Sequence, residues 1–275
     1  KLNSRSYWMT YFYINLKLNW KLNVYQNPAF HIFGTEGIHD FYGCTGFNGK
    51  LTLPSLEYVK EYAFYGCTGF SGSLEFKFKV NSVDKYAFYG CTGFSGSLNF
   101  NQNLDIIKEY ALYGCSGFTG TLYLTSYVDE ICDYAFAECS GFKKIYAIIS
   151  FTKIGKYAFA NCTGLESELD LKAINEGTFY GCSKIKKVSF FYQVTNISSY
   201  SFYGCTSLEK IVFSDKIKHI AEYSFYGCIG LNGTLELPSE IESIGKLAFG
   251  ETNYNVIIFK TQIIFSVLRI YLPMM

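Results

Sequence analysis

AFYGCTGF, read from Ala63 to Phe70, returns letter for letter at Ala87 to Phe94, and FYGCTGF precedes both at Phe41 to Phe47. Variants of the phrase continue to Cys228. They place cysteines at Cys44, Cys67, Cys91, Cys115, Cys139, Cys162, Cys182, Cys205 and Cys228, with steps of 23, 24, 24, 24, 23, 20, 23 and 23 residues. A fixed period of this length is the signature of a stacked-repeat array, in which each unit touches mainly its neighbours and the whole presents a long regular surface.

The aromatic position of the phrase marks ten units, at Phe41, Phe64, Phe88, Leu112, Phe136, Phe159, Phe179, Phe202, Phe225 and Phe249. In the tenth unit Thr252 stands in the cysteine's place. Ahead of each phrase lies a short apolar run, and ahead of that an alternating one, with pairs such as Leu51 and Leu53, Leu122 and Leu124, or Leu235 and Leu237. Alternation at period two predicts strands whose paired residues point inward. Stacked in parallel at about 4.8 Å each, nine such strands build a ladder of roughly 40 Å. The YAFYGC phrase sets Ala and Phe before a Gly, which predicts a tight helical turn that drops one aromatic into the core before the chain reverses. The expected fold is therefore an α/β repeat: a leucine-rich-repeat solenoid, right-handed, with a parallel strand ladder on one face and short helical turns or loops on the other. Residues 1–37 are assigned to an N-terminal capping strand region or degenerate repeat, with strict alternation from Ile14 to Val24. Residues 38–255 form the array of about ten units, and 256–275 a C-terminal cap or tail.

Composition narrows the function. The chain has 275 residues, 49% hydrophobic and 19% aromatic, enough for a continuous core. Lys plus Arg is 24 against Asp plus Glu 23, so no broad field draws it to nucleic acid or an anionic membrane. Lys260, Gln262 and Arg269 interrupt the apolar tail and make it a poor membrane span. A start at Lys1 instead of Met, without a signal segment, is read as a processed form or a fragment.

The nine periodic cysteines are read as a buried ladder of free thiols, since equivalent side chains in stacked units point in parallel and not at each other. No C-x2-C cluster supports zinc. Cys132 is the one off-register thiol and the first candidate for labelling. His31, His39 and His219 pair with no particular cysteine, and P-loop, GxGxxG, HExxH and GxSxG motifs are lacking. No enzyme and no cofactor is expected. Sequons at Asn161, Asn196 and Asn232 would accept glycans on a secretory route.

With the strand pairs inward, the outward stripe runs Thr52, Glu75, Asn99, Tyr123, Tyr146, Asp170, Ser189, Val212 and Glu236. It is the candidate ligand-binding face, with an aromatic patch at Tyr123 and Tyr146, because exposed Tyr offers large contact area at low entropic cost. A second line, from Tyr62 and Tyr86 to Tyr223, is read as a packing ladder.

The phrases IGKYAFANCTGL (Ile154 to Leu165), HIAEYSFYGCIGL (His219 to Leu231) and LELPSEIESIGKLAF (Leu235 to Phe249) resemble BspA-like leucine-rich repeats, over about Ile38 to Phe249. The heavy use of Tyr and Phe, and the lack of Pro after the strands except Pro54 and Pro238, depart from that pattern. The resemblance implies a surface protein or adhesin whose array binds host or other cell-surface proteins. Membrane contact would then come only through an anchor not evident in this chain. The alternative is an intracellular protein-protein interaction scaffold.

Overall fold

The structure is a computed structural model, described here for residues 29–31, 41–53, 57–77, 80–100, 104–124, 128–147 and 153–260. The strand expected at Ile14 to Val24 and the tail beyond Lys260 lie outside these residues, as do His39 and the Asp40 beside it.

The alternating runs form the first strand column. It comprises β1 (Ala29–His31), β2 (Lys50–Leu53), β4 (Leu74–Phe76), β6 (Leu98–Asn99), β8 (Thr121–Leu124), β10 (Lys144–Ala147), β12 (Glu168–Leu171), β13 (Lys187–Phe190), β15 (Lys210–Val212), β17 (Asn232–Leu237) and β19 (Asn253–Phe259). The apolar runs before each phrase form a second column of two-residue strands. These are β3 (Tyr58–Val59), β5 (Ser82–Val83), β7 (Ile106–Ile107), β9 (Glu130–Ile131), β11 (Lys153–Ile154), β14 (Asn196–Ile197), β16 (His219–Ile220) and β18 (Ser243–Ile244). All pairing is parallel, and in the first column it divides into runs β1-β2-β4-β6-β8-β10, β12-β13-β15 and β17-β19. Alternation survives in three dimensions: Leu122 and Leu124 are buried while Tyr123 between them is exposed, and the same holds for Leu169, Asp170 and Leu171.

The YAFYGC phrase corrects the sequence expectation. The described residues contain no helix, so the molecule is a parallel β-solenoid of stacked strands and turns, and not an α/β repeat with helical turns. Two features forbid the helix. Tyr62 has φ 56° and Gly66 φ 68°, both left-handed, whereas an α-helix needs right-handed residues throughout. The amide groups also divide their loyalties: those of Ala63, Tyr65 and Cys67 turn back to the carbonyls three residues before them, while those of Tyr62, Phe64 and Gly66 donate to Lys85, Ala87 and Tyr89 of the next unit. The inter-unit half of that pattern recurs at each described junction from Tyr62 to Gly227, always with the amide in the earlier unit and the carbonyl in the later. Alternate peptides thus serve as rungs between units, and the i→i−4 ladder of a helix has no donors left to form it.

The core is layered in the same order in each unit. Phe64, Phe88, Phe136, Phe159, Phe179, Phe202 and Phe225 are fully buried, and their neighbours stack, as with Phe136 on Phe159 at 5.2 Å and 0°. A second column, Phe47, Phe70, Phe94, Phe118 and Phe142, stacks beside it at 4.9 to 5.6 Å. Burying each such ring is worth roughly 1.5–3 kcal/mol, and the stacking adds to that.

The thiols lie between these layers. Cys67 to Cys228 of the phrase are buried, Cys44 and Cys132 are half-buried, and none of the ten is in a disulfide. Each buried thiol donates to a carbonyl of the unit before it, as Cys91 Sγ does to Phe64 O at 3.0 Å and Cys115 Sγ to Phe88 O at 3.1 Å. Burial pushes the Cys67 thiol up to about 12 and holds Cys91, Cys115 and Cys139 well above the ordinary thiol range. These sulfurs are protonated packing groups with no nucleophilic character at neutral pH.

Candidate functional site

Strand register decides which outward side chains meet. Thr52 pairs with Glu75, Glu75 with Asn99, Asn99 with Tyr123 and Tyr123 with Tyr146. Further on, Asp170 pairs with Ser189 and Ser189 with Val212. Glu236 pairs with Ile258, a residue of β19 that the sequence reading left off the stripe. The stripe is thus one line within each run of strands, although no described strand pair joins β10 to β12 or β15 to β17.

Its members differ in accessibility. Thr52 is only 1% exposed, which removes it from the accessible face. His31 of β1 pairs with it on one side, and its hydroxyl reaches Glu75 Oε2 at 3.5 Å on the other. Glu75 is half-buried within a small charge cluster, with Lys77 at 3.0 Å, Lys50 at 3.4 Å and the Ser73 hydroxyl at 3.0 Å. The Lys77 ammonium, then the Ser73 hydroxyl and the Lys50 charge, hold its carboxyl below the usual carboxylate range against the opposing effect of burial.

The middle of the face is aromatic and open. Tyr123 is 38% and Tyr146 56% exposed, with ring centroids 5.7 Å apart and planes tilted by 55°. Tilted rings leave both faces partly free, unlike the parallel stacks elsewhere in the molecule. Beyond them Asp170 and Glu236 are exposed, and Val212 at 38% and Ile258 at 44% add apolar surface. The flanking column supplies paired charges, among them Lys187 and Glu168 at 2.8 Å. The face therefore offers an open tyrosine pair between an ordered charge cluster and a mixed polar-apolar segment.

The turn side carries two tyrosine columns. One is the line expected from sequence, running Tyr62, Tyr86, Tyr110, Tyr134 and Tyr157 with centroids 4.9 to 5.2 Å apart. The other lies one residue after the core position of the phrase and runs in two stretches, Tyr42, Tyr65, Tyr89 and Tyr113, then Tyr180, Tyr203 and Tyr226, interrupted by Ala137 and Ala160. Stacking hides the ring faces in both, so these columns are packing devices in which the rings cover the left-handed turn. Among the described residues no group of three or more His, Cys, Asp or Glu could hold a metal ion, and no helix is long and apolar enough to cross a membrane.

Such a molecule is a stacked-repeat solenoid with a patterned open strand face, a class that works by surface presentation. Residues 37–166 and 165–266 match the BspA type leucine rich repeat region, in six copies, and the chain belongs to that family. Among solved structures it is similar to a leucine-rich repeat protein from Eubacterium ventriosum, at 18% identity and TM-score 0.56, covering 74% of this chain and 58% of that one. A leucine rich cell surface protein from Faecalibacterium prausnitzii aligns at 21% identity and TM-score 0.49, covering 59% of this chain and 48% of the other. A leucine-rich repeat protein from Bacteroides ovatus aligns at 21% identity and TM-score 0.45, covering 90% and 84%. The alignments thus span about half the length of the Faecalibacterium and Eubacterium chains. No curated protein matches the chain.

Proposed function

We propose that the chain is a non-enzymatic protein-binding array of the cell surface or secreted space, an adhesion or antigen protein that presents its strand face to a protein ligand. Membership of the BspA type family supports the general class. The observation that carries the binding face is the tilted, half-open Tyr123–Tyr146 pair at the centre of a strand stripe whose neighbours are in register. Tyrosines with free faces on a rigid scaffold supply contact area without the ordering cost of long flexible side chains. Labelling intact source cells with a membrane-impermeant amine reagent tests location: labelled chain on intact cells is the expected result. The double variant Tyr123→Ala, Tyr146→Ala should then lose binding of the purified chain to cells with its melting temperature unchanged. Undiminished cell binding by that variant would remove the stripe from the argument.

A second reading, an intracellular interaction scaffold, is favoured by one observation: the phrase cysteines from Cys67 to Cys228 are buried thiols outside any disulfide, which suits a reducing compartment. Labelling seen only after lysis would put this reading first.

A further inference from the structure

The seventh unit is the short one, with 20 residues from Cys162 to Cys182. Elsewhere a buried aliphatic residue sits three positions before the second-column strand residue, at Leu104 before Ile107, Val128 before Ile131 and Val194 before Ile197. In the seventh unit that offset falls on Leu171, which β12 already uses, so one layer of core is missing at this corner. Side chains make good the lost backbone rungs. Asn175 Nδ2 donates to Ile154 O at 3.3 Å, where Gly155 N uses its backbone on Ile131 O, and Ser167 Oγ accepts from Ile145 N at 2.9 Å.

The clipped corner leaves a groove of about 440 Å³ on the second column, away from the stripe. Its floor is Ile154 and Ile174, the latter half-exposed where Ile131, Ile197 and Ile220 are buried. Glu109, Glu130 and Asp133 line it with one lysine, Lys153, and Asp133 also accepts from Lys156 N at 2.7 Å. Lys153 is mostly exposed and meets Glu130 only at 3.8 Å, and Glu109 has Lys85 at 4.0 Å. Exposed pairs at such distances contribute little and yield easily to a better-placed cation.

We propose that this groove receives a lysine or arginine side chain from an extended segment of a partner protein, its aliphatic stem on Ile154 and Ile174 and its charged head among Glu109, Glu130 and Asp133. Long basic side chains bury their stems on apolar surface while keeping the head beside polar partners, which is the arrangement this floor and rim provide. Cys132 in the wall takes no chemical part: burial first, then the charges of Glu130, Glu109 and Asp133, push its thiol up to about 11, so it stays protonated at neutral pH. The site is separate from the strand stripe and stands or falls without it.

Cys132 supplies the readout, since it and Cys44 are the two half-buried thiols among ten. The probe is an acetylated, amidated pentapeptide Gly-Val-Arg-Val-Gly, with citrulline in place of arginine as the neutral control. Alkylation of Cys132 by iodoacetamide, followed by peptide mass mapping, is timed with the intact chain. At ten times the dissociation constant the arginine peptide should slow the reaction about elevenfold by mass action. The citrulline peptide should leave the rate unchanged. Protection should vanish in the double variant Glu130→Gln, Asp133→Asn. It should also vanish in the unmodified chain at an ionic strength of about 1 M, where screening acts within about 3 Å. The proposal is overturned by no protection, by equal protection from both peptides, or by protection that persists at high salt. The salt arm decides the matter even if the double variant misfolds.

Discussion

Tyr110 tests the left-handed turn most directly. Its φ is 57°, and its ring stacks on Tyr86 at 5.1 Å and 12° and on Tyr134 at 4.9 Å and 6°. Tyr110→Ala removes both stacks, each worth about 0.5–1.5 kcal/mol, and keeps the left-handed cost of a residue with a Cβ, roughly 1–2 kcal/mol. Tyr110→Gly removes the same stacks but relieves that cost, against about 0.4–1 kcal/mol of extra freedom in the unfolded chain. The alanine variant should therefore lose about 1–3 kcal/mol, and the glycine variant should be more stable than the alanine variant by about 0.5–1 kcal/mol. Urea unfolding followed by circular dichroism measures both. With a slope of about 3 kcal/mol per molar, the glycine midpoint should lie a few tenths molar above the alanine midpoint. In a right-handed helical turn the order reverses, because glycine is then worse than alanine by about 1 kcal/mol. A glycine midpoint below the alanine midpoint would refute the turn geometry.

Two further outcomes follow from the same geometry. Gly177 replaces the tyrosine of this position in the seventh unit with φ 59°, and a Cβ there would collide with the Tyr157 ring, whereas one at Gly227, φ 72°, would meet only Gly204 backbone at van der Waals distance. Gly177→Ala should therefore cost more than Gly227→Ala, by about 1 kcal/mol for the displaced ring, and equal melting shifts for the two would count against it. Stability should also fall in alkali. The folded Cys67 thiol stays protonated to about 12 while the unfolded one ionises near 9.0, so its contribution is complete below pH 9 and is lost as pH rises from 9 towards 12. The loss is about 1.4 kcal/mol for Cys67 at pH 10, and the other raised thiols of the column add in the same direction. A urea midpoint that stays flat from pH 8 to pH 10.5 would contradict the buried-thiol account.

Cysteine spacing and period-two alternation made the repeat, the strand column and the buried aromatics legible, because each depends on side-chain type recurring at a fixed interval. The turn was misread because composition does not reveal the sign of φ. Tyr-Ala-Phe-Tyr-Gly suits a helical turn in isolation, and only the demand of neighbouring units for amide donors sets Tyr62 and Gly66 left-handed. Thr52 alternates as an outward residue in the sequence, yet it is buried, with Glu75 of the next strand within reach of its hydroxyl, a neighbour effect invisible along one strand. The 20-residue step was plain in the sequence as well. That it removes a core layer and leaves Ile174 half-exposed follows only when Leu171 is seen to serve two positions at once.

The one-way course of the turn hydrogen bonds makes the two cut surfaces of any junction unlike. Separate the array between Phe64 and Phe88, and along the turn the front piece shows the backbone amides of Tyr62, Phe64 and Gly66 while the back piece shows the carbonyls that accept them and the one thiol, Cys91, that donates the other way. Like ends cannot replace each other, so pieces rejoin along this side in a single order, and a whole unit can be removed or inserted with the lock and key on either side still matching. Length is then a freely adjustable quantity in such a molecule, while direction is fixed in every rung.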